Sequence, residues 1–236
     1  MLKFISMDTE TNLIGKDAVI PDLICSSFYE LGGEGYEVTH WADEGHKEYL
    51  KSLLSDPDVH LIYHNAAFDL AVMAKYDWSL MPLIWEALEQ GRIHDTMFRE
   101  QLINLTTSGS ITMIEQHGIK SAVSYSLDKL VLSYLQIDIS AEKDAEDSVR
   151  LNFEAMKYKP VEEWPKEFVE YAGKDAEYTG LIFLEQEKRR ERVINDTSHD
   201  PFNKESHTIA SATALYFMTA QGNKLDKEKV KEVTKE

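Results

Sequence analysis

Asp8 and Glu10 close a short apolar run, Phe4, Ile5, Ser6 and Met7, that reads as a buried strand. Residues two apart on a strand face the same way, so the two carboxylates project side by side from its end. Carboxylates held that close repel one another unless a cation lies between them, and hard divalent ions such as Mg²⁺ prefer such oxygen ligands. Two further acids stand where they could join them. Asp69 falls in the first turn of a helix opened by Asn65, and Asp175 follows Tyr171 by four residues, which puts both on one helix face. Each has an ordinary explanation when taken alone. Asn65 could be a helix N-cap, Asp69 an acid favoured by the helix dipole, Tyr171 a core aromatic and Asp175 a solvated charge.

The elements that must carry these groups follow from hydrophobic spacing and turn residues. After the first strand, apolar segments at 23–31 and 36–41, separated by Gly32, Gly33 and Gly35, predict an antiparallel meander. Helical spacing over 47–55, a strand over 60–64, a helix over 66–76, a short strand before Thr96 and a helix over 98–105 follow. No element is assigned to 77–90, and 106–125 reads as loop with at most one short helix. A helix over 126–135 has Ser126 as its candidate N-cap, 140–148 reads as charged surface, and 161–192 as one or two helices with Pro165 near the start. The polar stretch 195–201 is a candidate boundary. Beyond it 204–220 reads as a helix closed by Gly222, and another helix begins at Lys227, inside which the chain ends as a segment cut from something longer would. Strands first, then strands alternating with helices, indicate an α/β fold on a mixed sheet.

Composition limits the function classes. With 236 residues, 43% of them hydrophobic, the chain supports one sizeable domain with an appendage, or two small ones, and not a disordered segment. A single cysteine, Cys25, rules out an internal disulfide, and its apolar setting predicts a buried, inert thiol. With no signal-peptide pattern and no membrane-length apolar run, a soluble, cytoplasmic protein is expected. The formal charge of −17 argues against broad electrostatic binding of duplex nucleic acid. The densest basic cluster, Lys188 to Arg192, also fits the dipole at a helix C-terminus. Metals bound at an acidic site would still permit contact with a nucleic-acid end. The early glycines are followed by no helix, which excludes a dinucleotide-binding turn, and Leu13 replaces the glycine that a calcium-binding EF-hand loop requires.

Asp-x-Glu ending a first strand, Asn-x-x-x-Asp opening a helix and Tyr-x-x-x-Asp on a late helix resemble, in that order, the three motifs of the DEDD exonuclease superfamily. Tyr171 marks the DEDDy branch, which includes the proofreading domains of DNA polymerases; the other branch needs His where this chain has Glu170. Residues 94–97, 126–130 and 159–165 also resemble family A polymerases of the phage type, and Met218 to Asp226 is similar to the start of their polymerase portion. The resemblance implies an RNase H-like fold, a five-stranded mixed sheet flanked by helices, with a 3′→5′ exonuclease domain over 1–195 and a helical extension over 196–236. It implies hydrolysis of a single-stranded or frayed DNA 3′ end to nucleoside 5′-monophosphates with two Mg²⁺ or Mn²⁺ ions.

In that scheme Asp8 bridges both ions, Glu10 and Asp175 complete one site, Asp69 holds the second ion, and Tyr171 aims the attacking water. Thr11 and Asn65 are expected to contact the terminal nucleotide, and Ile14 or Leu13 to wedge against its base. Phe68 is expected to stack on that base or to pack beneath it in the core. Asp95 matches no ligand of the superfamily and is expected to satisfy nearby backbone groups. A polymerase domain in cis or trans is the implied partner, with no membrane involved. An RNA-directed relative and a catalytically dead module are the competing readings; matched DNA and RNA strands separate the first, and absence of cleavage marks the second.

Overall fold

The computed structural model describes residues 2–15, 19–116, 119–140 and 149–222. The charged surface segment expected over 140–148 lies outside them from 141 onward, as does the helix expected from Lys227. The main sheet has five strands: β1 (Lys3–Thr11), β2 (Leu23–Glu30), β3 (Glu37–His40), β4 (Val59–Tyr63) and β5 (Ile93–Asp95), in the order β3-β2-β1-β4-β5. β2 runs antiparallel to β1 and β3, whereas β4 and β5 run parallel to the central β1, so the sheet is mixed as expected. Gly32 and Gly35, at φ of 84° and 79°, supply the left-handed backbone that turns β2 into β3. The β1–β2 register slips between Glu10 and Thr11, so regular pairing fails where the strand reaches its acids.

Seven helices are described: α1 (His46–Ser55), α2 (Ala66–Tyr76), α3 (Met81–Glu89), α4 (Thr96–Ser108), α5 (Leu127–Leu135), α6 (Lys166–Thr197) and α7 (Glu205–Gln221). Alternation along β1 divides them between two faces. Ile5 and Met7 join a core with Leu50, Leu61, Leu70, Ile84 and, from α7, Ile209. The opposite face meets α6, and a second core forms there around Cys25, Phe153, Trp164, Phe168 and Tyr171. The approach of α6 to β1 is close because small residues line it. The hydroxyl of Ser6 donates to the Ala176 carbonyl at 2.6 Å, and a Cβ added at Gly180 would come within 2.7 Å of that hydroxyl.

Several local expectations need correction. Helix α3 occupies the unassigned stretch; Pro82 sits in its first turn, where a missing N–H does no harm, and Ile84, Ala87 and Leu88 are buried. Residues expected as loop form a hairpin instead, β6 (Met113–Gln116) with β7 (Ile119–Ala122), held by a cross-strand ladder that apolar spacing along one segment does not reveal. Ser126 precedes α5 without capping it through its side chain. The cluster Lys188 to Arg192 lies short of the last turn of α6, which continues to Thr197, and its charges meet acids: Arg189 pairs with Glu100 and Arg190 with Asp200. Gly222 does close α7, its N–H reaching the Met218 and Thr219 carbonyls.

Candidate active site

The end of β1 and the middle of α6 meet at one cleft. Asp8 and Glu10 leave the strand on the side covered by α6, and Tyr171 and Asp175, one helical turn apart, come down from the helix. Carboxylate oxygens of Asp8, Glu10 and Asp175 lie within 4.8 Å of one another. Glu10 and Asp175 are each 8% exposed. Three hard oxygen donors that close, in partial burial, are the donor set that Mg²⁺ or Mn²⁺ takes and a soft metal does not.

Asp69 reaches the same strand end from the opposite face. Alternation turns Thr9 toward α2, and there its backbone N–H and hydroxyl both donate to Asp69 Oδ1, at 3.0 and 2.7 Å. Asp69 is 3% exposed. Burial, and next the charge of Asp8, push its carboxyl well above the usual range, while the bonds from Thr9 oppose the shift. The structure thus groups three of the four expected acids tightly and sets the fourth behind Thr9, close enough to feel Asp8. Tyr171 is held far above the ordinary phenol range, first by burial and then by the charges of Asp175, Glu10 and Asp8.

Asn65 stands at the start of α2 but does not cap it with its side chain. Its backbone is left-handed, φ 73°, a conformation uncommon outside glycine. The Asp95 carboxylate accepts the N–H groups of Asn65 and Ala66 at 3.2 and 2.7 Å, and those of Met97 and Phe98 at the start of α4. Asp95 therefore does satisfy backbone groups, and in doing so it fixes the corner from which Asn65 faces the cleft.

The cleft, about 830 Å³, is lined by Asp8, Glu10, Thr11, Ile14, Asn65, Phe68, Tyr171 and Asp175. Leu13 and Ile14, 56% and 62% exposed, are apolar side chains held at its edge, and Phe68 is half-buried beside them. Thr9, which orients Asp69, went unnoticed in the sequence, as did His64, Gln101, Tyr125, Asp128 and Arg150 on the walls. Asp128 lies within the family-like stretch 126–130, which could have flagged it. Arg150 carries no sequence signal; it is the one Arg or Lys among the described residues lining the cleft, and its charge partly offsets the upward shift of Tyr171.

Among solved structures, Brucella melitensis NrnC bound to pGG aligns with a TM-score of 0.60 at 19% identity, covering 96% of this chain and 90% of that one. The same protein with bound Mg²⁺ aligns at 0.57 and 18%, with coverage of 96% and 90%. Escherichia coli RNase D, an exoribonuclease involved in structured RNA processing, aligns at 0.50 and 16%, covering 94% of this chain and 46% of that one. These likenesses show the RNase H-like exonuclease fold. No curated protein matches the chain. No described helix is long and apolar enough to cross a membrane. The sequence model described as 3′-5′ exonuclease matches residues 2–189, and with the DEDD acids in order along the chain, this protein belongs to the 3′-5′ exonuclease family, of the DEDD type.

Proposed function

We propose that this chain removes nucleotides one at a time from single-stranded or frayed DNA 3′ ends, as a proofreading nuclease working with a polymerase domain in cis or trans. The observation that carries the hydrolytic reading is the convergence of Asp8 and Glu10 with Tyr171 and Asp175 in one cleft. The DNA reading rests on the resemblance of 94–97, 126–130 and 159–165 to family A polymerases. Asp8, Glu10 and Asp175 would hold divalent cations, with Asp69 offering the oxygen that Thr9 does not occupy. When bound, such ions supply a Lewis acid for the scissile phosphate and lower the pKa of water.

The protein's own groups do the rest. Tyr171, with its phenol pushed far up, stays protonated near neutrality and orients a water by hydrogen bonding without accepting its proton. Thr11 and Asn65 would bind the terminal nucleotide, and Ile14 and Phe68 would bracket its base, so only a splayed end fits. Mismatched ends unpair at lower cost, which selects errors without reading sequence. A second reading, an RNA-directed exonuclease, is supported by the fold shared with Escherichia coli RNase D, an exoribonuclease involved in structured RNA processing.

Matched 5′-labelled single strands of DNA and RNA, with Mg²⁺ or Mn²⁺, decide between them. A ladder shortening from the 3′ end on DNA, lost by about a thousandfold or more in Asp8→Ala, is the expected outcome. Faster shortening of RNA favours the second reading, and cleavage of neither strand rejects both.

A further inference from the structure

Helix α7 lies outside the stretch matched by the exonuclease family, residues 2–189, yet it reaches the candidate site at two points. At its start, Glu205 Oε1 accepts the backbone N–H of Asp95 at 3.2 Å, and Asp95 in turn holds the N–H groups of Asn65 and Ala66. Three turns later the half-buried Tyr216 meets Phe68 edge to face, with ring centroids 6.4 Å apart and planes at 85°. The Tyr216 hydroxyl donates to the Val19 carbonyl at 3.2 Å. Val19 belongs to the connection between β1 and β2, the same connection that carries Leu13 and Ile14 to the cleft. One side chain from α7 therefore touches the aromatic wall and the loop that brings the apolar edge.

The acid cluster is carried differently. Asp8 and Glu10 stand on β1 and Asp175 on α6, and Asp69, although it stands on α2, is held from β1 by the Thr9 N–H and hydroxyl, whereas α7 packs on α2, α3, α4 and β5. We propose that Tyr216 is a positioning residue for the terminal nucleotide: it fixes the Phe68 ring and the Val19 end of the β1–β2 connection, and so sets substrate grip without setting the cluster of Asp8, Glu10 and Asp175. This rests on the proposed reading that Phe68 and Ile14 meet the 3′-terminal nucleotide.

The test uses the whole chain and two variants, Tyr216→Ala and Tyr216→Phe. Three quantities are measured: kcat and KM on a single-stranded oligonucleotide, the Kd of the metal-free protein for that oligonucleotide, and the Mg²⁺ concentration at which thermal stabilisation is half complete. Tyr216→Ala should raise KM and Kd roughly five- to tenfold, the size of one lost ring contact, with kcat and the Mg²⁺ midpoint unchanged. Tyr216→Phe keeps the ring and should recover most of the loss. An unchanged KM and Kd in Tyr216→Ala, or a fall in kcat together with a shifted Mg²⁺ midpoint, overturns the proposal. A native chain that neither binds nor cleaves the oligonucleotide is a different result, common to all three proteins, and removes the functional reading and this proposal together.

Discussion

Two buried, charge-rich regions lie along the one helix α6, and they handle charge in opposite ways. Near its N-terminal half, Asp175 meets Asp8 and Glu10, three acids crowded within 4.8 Å. Near its C-terminal half, Arg99 (2% exposed) forms a bidentate pair with Glu205 at 2.7 and 3.0 Å and a bond to Glu187 at 2.6 Å. The rings of Phe183 and Phe202 lie 4.1 and 4.3 Å from that guanidinium. There, opposite charges were brought together by the chain itself, and the result ties β5, α4, α6 and α7 to one another. At the cleft, like charges were brought together instead, and an external cation is the natural complement.

The largest effect expected from probing this contrast is on the matched side. Burial opposes ionisation of Glu205, but His94 and Arg99 prevail and hold its carboxyl at about 2, below the ordinary 4.5. A lowered carboxyl pKa contributes stability that is present above about 4.5 and is lost as pH falls from there toward 2. Glu205→Gln should therefore lower unfolding free energy at neutral pH by about 3 kcal/mol and flatten the acid limb of the stability profile. Denaturant titrations between neutral pH and pH 3 check both, and an unchanged acid limb would show that the pair does not hold the fold.

A smaller effect is expected between the two regions, where Gly180 lets α6 rest against Ser6. Gly180→Ala places a methyl in that contact and should destabilise by about 2 kcal/mol through overpacking. Because the shift displaces Asp175 relative to β1, the Mg²⁺-induced rise in melting temperature should weaken as well. Destabilisation with the Mg²⁺ response intact would mean that the acids do not depend on this close approach.

The smallest effect carries the opposite sign. Asp8→Asn removes one of the crowded charges and should stabilise the metal-free protein by about 1 kcal/mol, since functional sites hold strain that a neutral residue relieves. The same change should abolish the stabilisation expected from Mg²⁺, since an ion that binds only the folded site raises its stability. Thermal melts with and without Mg²⁺ measure both, and a variant less stable than the native chain without metal would count against crowding.

How much of this was legible follows from the range over which each signal acts. Asp8 with Glu10, and Tyr171 with Asp175, are two and four residues apart, and strand and helix periods alone turn each pair to one side. The meander, α2 and the Gly222 stop were readable for the same reason. Helix α3 was hidden by a proline that looks like a breaker until its position in the first turn is known, and the β6–β7 hairpin by pairing across a turn.

The sequence by itself determined the acid motifs, their order along the chain and the α/β class, because residue type and local period suffice for those. Tertiary structure alone decided that Asp69 arrives behind Thr9 on the other face of β1, and that Arg99 lies between Glu187 and Glu205. It alone placed Tyr216 of α7 beside Phe68. Those contacts join residues 60, 88, 106 and 148 positions apart, and over such separations partners are chosen by the packing of whole elements.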